Sequence, residues 1–155
     1  MLQVHEVKKI ILENCTSAKV ELMALNKASG FVLTEPVFSP MDTPPFDQSA
    51  MDGYAFSFDE WDCKSDLLLS GEVQAGNYMA QNLKPKEAVR IFTGAAIPPS
   101  TDTVVIQENV IKNDKYISIK DDKLIKGSNV RLQGSQTKKD KIALPEVDIP
   151  LILTT

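Results

Sequence analysis

The sequence predicts an α+β fold, mostly β, in an elongated two-lobe architecture with an N-terminal helix and an inserted β-rich lobe. An amphipathic pattern opens the chain, short β-prone runs separated by turn residues fill the middle, and apolar segments return after Gly127. The expected division is residues 1–40 for the first part of the elongated lobe, 41–126 for the β-rich insert and 127–155 for the return segment. Ends that pair across an inserted domain explain why neither end carries a complete core of its own.

Val4, Val7, Ile10 and Ile11 recur at three- and four-residue steps between charged residues, which predicts a helix ending near Asn14. Thr16 and Ser17 break that pattern. Asn26 is a candidate N-cap for a brief helix closed by Gly30, and Phe31 to Phe38 reads as a strand. Pro40, Pro44 and Pro45 then stiffen a loop from Ser39 to Gly53, because proline fixes φ and lowers the entropy lost on ordering.

Beyond the loop, β-prone runs are predicted at Leu67–Leu69, Ala88–Phe92, Thr103–Gln107, Val110–Lys112, Tyr116–Ile119 and Leu124–Ile125. Asn113 and Asp114 mark a hairpin turn, and Gly71, Gly76 and Gly94 mark sharp bends. A last apolar run, Ile149 to Leu153, leads to Thr155 without a cap or polar tail, which is the pattern expected of a truncated chain.

Composition narrows the function classes. The 155 residues carry 17 Lys and Arg against 21 Asp and Glu, a net charge of −4, with no basic stripe to neutralise phosphates, so nucleic acid is not an expected partner. Cys15 and Cys63 lie outside any metal-ligand spacing, and neither a signal peptide nor a membrane-length apolar run is legible. A cytoplasmic protein away from membranes is expected. With His5 the only histidine, a site built on several imidazoles is excluded.

Two segments hold candidate chemistry. Asp52 precedes Gly53, and Asp-Gly is a strong hairpin signal, so an exposed type I′ turn and a functional carboxylate weigh equally. A carboxylate in a stiff turn is also a hard oxygen ligand of the kind Mg²⁺ takes. Thr93 and Gly94 offer a hydroxyl and an unhindered amide at a strand end, either a plain turn or a donor pair for an oxyanion. Ser49 could orient Asp52 or simply satisfy its own loop.

The run Pro45-Phe46-Asp47-Gln48-Ser49-Ala50-Met51-Asp52-Gly53-Tyr54-Ala55 resembles the signature of the MoeA family, the molybdopterin molybdenumtransferases, which the C-terminal domain of gephyrin shares. Ala88-Val89-Arg90-Ile91-Phe92-Thr93-Gly94-Ala95 resembles the family's strand and Thr-Gly turn. The matches run from about Val20 to Gly134.

The resemblance implies the N-terminal part of the enzyme that inserts molybdate into adenylylated molybdopterin, with Mg²⁺ as cofactor and a second copy of the chain as homodimer partner. It further implies that Asp52 and Thr93 are catalytic, in a cleft completed by a pterin-binding domain of the second subunit; Ser49 and Gly94 beside them are the candidate substrate-binding residues. No metal ligand is assigned by position. Phe31 stands where the family usually has arginine, and Ser135-Gln136 replaces an acidic pair after Gly134. These departures keep a second reading open, a non-catalytic dimerisation or partner-docking scaffold derived from that family.

Overall fold

The computed structural model describes residues 3–14, 19–77, 79 and 82–145. Cys15, the break at Thr16 and Ser17, and the apolar run Ile149–Leu153 lie outside them. The chain divides into two compact units, Met1–Phe38 with Lys141–Thr155, and Ser39–Asp140.

In the first unit, α1 (Val4–Asn14) forms where the apolar spacing predicts it. Its start is braced by Glu6, whose Oε2 accepts the Gln3 amide at 2.8 Å, the arrangement by which an N3 glutamate satisfies an otherwise unpaired donor. The brief helix is a single 3₁₀ turn, Leu25–Lys27. Asn26 lies inside that turn, and Ala24 precedes it with no side-chain cap. The strand expected from Phe31 shrinks to β1 (Val37–Phe38), which pairs antiparallel with the chain's last described strand, Ile142–Leu144.

The second unit is built on β2 (Gln48–Ser49), β3 (Gly53–Phe56), β4 (Leu67–Val73), β5 (Glu87–Ile91), β6 (Thr103–Ile106), β7 (Val110–Asn113), β8 (Tyr116–Ile119) and β9 (Val130–Arg131); β10 is Ile142–Leu144 of the first unit. Six of them form one sheet in the order β6-β3-β5-β4-β8-β7, parallel only between β4 and β5. Side chains alternate across it, so both faces are apolar. Tyr54, Phe56, Leu67, Ala88, Val105 and Ile117 fill one face with Trp61, whose ring meets Phe56 edge-on at 5.5 Å. Ala55, Val73, Val89, Ile91, Ala95 and Val104 fill the other.

Several expectations are corrected here. Leu124–Ile125 forms no strand: the Leu124 amide closes a turn onto Asp121 O, and the side chain packs beneath the Trp61 cluster. Residues 127–140 belong to the β-rich unit, not to the return segment, because Val130 and Arg131 pair with Ser49 and Gln48. Gly71 lies within β4, beside a register irregularity in the β4–β5 pairing. The hairpin turn does form, with Asn113 opposite Tyr116 and Asp114 at φ 52°.

The Asp52-Gly53 pair is not a type I′ turn, which needs positive φ at both central residues; neither residue has it. Gly53 instead opens β3 between two strands, opposite Ile91 of β5 and Ile106 of β6. A Cβ on Gly53 would lie 2.0 Å from the Val105 carbonyl oxygen, so the glycine is demanded by space. At Gly94 the reverse holds: nothing lies within 4 Å, but φ is +83°.

Two substitutions separate these causes. Gly53→Ala is expected to destabilise the chain by about 3 kcal/mol, since the β6 backbone at Val105 must move. Gly94→Ala is expected to lose only about 1 kcal/mol, for the left-handed backbone. Denaturant midpoints measure both, and equal losses would mean that the close approach of β3 to β6 is wrongly described.

Candidate functional site

The sheet register brings the two motifs together. Gly53 pairs with Ile91, so Asp52, one residue before β3, lies beside Phe92 and Thr93, just past the end of β5. Asp52 Oδ1 accepts two hydrogen bonds from Thr93, 2.8 Å from the amide and 2.7 Å from the hydroxyl. On the other side, Gln107 donates its amide to the Asp52 carbonyl at 3.1 Å. Asp52 is therefore held from both sides of β3, its carboxylate by Thr93 and its backbone by Gln107. Among the described residues, no hydrogen bond reaches its second oxygen, Oδ2.

The loop before Asp52 is pinned along its length. Ser49 N donates to Ala95 O and Gly94 N to Ser49 O, each at 2.9 Å, while Ala50 N donates to Asn129 O at 2.8 Å. Ile97 N meets Asp47 O at 3.0 Å, and Asp47 Oδ1 accepts the Gln133 amide at 2.7 Å. Proline stiffening is thus reinforced by backbone bonds to the Thr93-Gly94 turn and to β9.

These bonds engage Ser49 and Gly94, the residues expected to bind substrate, within the protein itself. Ser49 is completely buried, and its hydroxyl donates to Met51 O at 2.6 Å, a local turn that leaves nothing for a ligand. The Gly94 amide holds Ser49. The Thr93 amide and hydroxyl are likewise turned onto Asp52, so the Thr-Gly turn is a clasp on a carboxylate and not an open pair of anion donors.

Electrostatics follow from the clasp. The Thr93 hydroxyl, then its amide, hold the Asp52 carboxyl below its ordinary value of 3.8, with the Arg90 charge adding a smaller pull in the same direction. Elsewhere, Asp62 is lowered by the amides of Ser65 and Lys64. Burial pushes Asp102 up, but hydrogen bonds from Phe58 N, Thr103 Oγ1 and Lys126 outweigh it, and the net shift is downward. Among the described residues, no three His, Cys, Asp or Glu are grouped to hold a metal ion. A cation that takes one protein carboxylate and fills its shell from phosphates and water fits Asp52; one that needs an all-protein cage does not.

Arg90 and Gln107 were not singled out from the sequence. Arg90 Nη1 donates to Gly53 O at 3.0 Å and Nη2 to Gln107 Oε1 at 2.6 Å, and the guanidinium lies over the Tyr54 and Phe92 rings. The available signal was an arginine among the apolar residues Ala88, Val89 and Ile91 of β5. Ser135 and Gln136, the departures noted above, donate their amides to Leu132 O and Thr43 O.

The sequence pattern of the MoeA N-terminal region, described as domain I and II, matches residues 2–149. The chain belongs to the MoeA family. A Haemophilus influenzae protein named molybdopterin molybdenumtransferase is 32% identical over 159 residues, covering 98% of this chain and 39% of that protein. A Nostoc protein of the same name is 38% identical over 104 residues, 64% of this chain and 24% of its own length. The crystal structure of the Pyrococcus horikoshii molybdopterin biosynthesis moeA protein superposes with a TM-score of 0.75 at 28% identity, over 92% of this chain and 39% of that one. This MoeA chain thus spans no more than about two fifths of these relatives. No described helix is long and apolar enough to cross a membrane.

The sign of the acid response is fixed by the direction of the Asp52 shift. A carboxyl lowered on folding contributes stability in full above its ordinary value, and the contribution is lost as pH falls through the lower, folded value. Wild type should therefore lose stability faster than Asp52→Asn as pH drops below 3.8, with the other lowered acids common to both. Parallel denaturation curves for the two chains across that range would show that the clasp contributes nothing.

Proposed function

We propose that this chain is the N-terminal part of a molybdenum cofactor biosynthesis enzyme, the one that inserts molybdate into adenylylated molybdopterin, and that Asp52 is its working group. The observation carrying this reading is the ionised Asp52 carboxylate, clamped through one oxygen by Thr93 and open at the other.

Asp52 would hold Mg²⁺ as a single protein oxygen ligand. When bound, the cation would neutralise charge on the phosphate that leaves the adenylylated pterin. Thr93 keeps the carboxylate charged and fixes its direction, so little reorganisation is needed when substrate arrives. Among the described residues, α1 is the sole helix longer than one turn, and it belongs to the other unit, so the β-rich unit has no described α-helix whose N-terminus could cradle a pyrophosphate. Completion of the cleft by a pterin-binding domain of a second subunit accommodates that arrangement.

The partner we infer is a second copy of the chain, in a soluble cytoplasmic homodimer. Val4, Val7, Ile10 and Ile11 form the apolar stripe of α1, yet none of them is buried. Such a stripe is stable in water when another apolar face covers it. The alternative, a docking scaffold without chemistry, is favoured by one observation, that both Thr93 donors are turned inward.

Three outcomes are expected. The 155-residue chain alone should give no product from Mg²⁺, adenylylated molybdopterin and molybdate; measurable molybdate insertion by it would contradict the need for a completed cleft. In a chimera that carries this chain in place of the matching region of the Haemophilus influenzae relative, Asp52→Asn should lower kcat by about 100-fold with the fold intact. Unchanged turnover would favour the scaffold. Sedimentation should show a dimer that Ile10→Glu converts to monomer, and a wild-type monomer at high concentration would exclude the stripe as the dimer contact.

A further inference from the structure

An arginine in the middle of a sheet usually reaches water or a carboxylate. Arg90 does neither. Its side chain lies on the Tyr54 side of the sheet, half-buried, over two aromatic rings whose π faces attract a guanidinium, 5.2 Å from the Tyr54 centroid and 5.0 Å from that of Phe92. No acidic side chain of the described residues lies in salt-bridge range of it.

Both bonded ends of its fork reach the surroundings of Asp52. Nη1 binds the carbonyl of Gly53, the residue after Asp52. Nη2 binds Gln107 Oε1, and the Gln107 amide in turn holds the Asp52 carbonyl. Phe92, which carries one face of the guanidinium, is the residue before Thr93. Arg90 thus touches one neighbour of each partner in the Asp52–Thr93 clasp without touching either partner. It also lines an open cleft of about 450 Å³ with Tyr54, Leu69, Gly71, Glu72 and Lys112, so one flank of the corner faces solvent.

We propose that Arg90 is the positioning residue of this site: it ties β3, β5 and the turn after β6 into one corner, from which Asp52 is aimed at Thr93. This rests on the reading of Asp52 as the working carboxylate and extends it to a residue that acts only through its neighbours. The fork geometry matters as much as the charge, because a lysine ammonium cannot bridge two acceptors in a plane while lying flat over rings.

The test is made on the 155-residue chain by NMR, reading the Thr93 amide exchange rate and the titration of the Asp52 carboxyl. Arg90→Gln should speed Thr93 exchange about tenfold relative to the β8 amides and move the Asp52 titration upward, though less than Thr93→Val does. Arg90→Lys should keep most of the titration but lose the slow exchange. Lys112→Gln, a charge change in the same cleft, should alter neither. Exchange that rises equally across the sheet would mark Arg90 as a general stabiliser and overturn the proposal, as would wild-type exchange and titration in both Arg90 variants. Should Arg90→Gln fail to fold, Gln107→Ala removes one anchor from an exposed position and is judged by the same readouts. Neither readout depends on turnover, so a chimera indifferent to Asp52→Asn would sink the catalytic reading while leaving this one to be decided separately.

Discussion

The backbone of Gly53 lies so close to the Val105 carbonyl that no side chain fits between them, and the β-rich unit is arranged around that approach. It lets β3 sit between β5 and β6 with its four residues buried. Because Gly53 is flanked on both sides, the residue before it emerges at the sheet's end with Thr93 on one side and Gln107 on the other. Asp52 is placed by the register of three strands and not by the flexibility of a loop. A site built on paired strands keeps its geometry better than one carried on a free turn.

What the arrangement does chemically follows from how the hydrogen bonds are distributed. Every donor of the Thr93-Gly94 turn is directed inward: two stabilise the Asp52 carboxylate and the third holds the loop that delivers it. The donors of the turn are therefore engaged by Asp52 and by the loop itself. Such a division suits phosphate-ester chemistry, where a protein contributes mainly by holding charge in a fixed direction. The chain spans about two fifths of the Haemophilus influenzae relative.

Much of the β-rich unit was legible because β4 to β8 are runs of Leu, Val, Ile and Thr between turn residues, where composition and period agree. β3 was not, since prolines upstream and the Asp-Gly pair describe a turn, and only tertiary pairing turns Gly53 into a strand residue. Leu124-Ile125 misled for the opposite reason: it is apolar enough to pack under Trp61 but too short to extend. At the site, Asp52 and Thr93 were recognisable as chemistry-bearing residues by type and motif. The inward use of the Ser49 hydroxyl and the Gly94 amide was invisible, because spacing does not reveal which donors the backbone has already engaged. Arg90 went unread for a related cause, as its contacts join residues 17 and 37 positions away.

One claim underlies all of this: a carboxylate is held through a single oxygen by both donors of one threonine. The most direct measurement is the scalar coupling across the hydrogen bond between the Thr93 amide nitrogen and the Asp52 carboxyl carbon, in isotopically labelled chain at neutral pH. A resolved coupling that vanishes when the carboxyl is protonated is the predicted result. No coupling, together with an Asp52 carboxyl that titrates at its ordinary value, would contradict it.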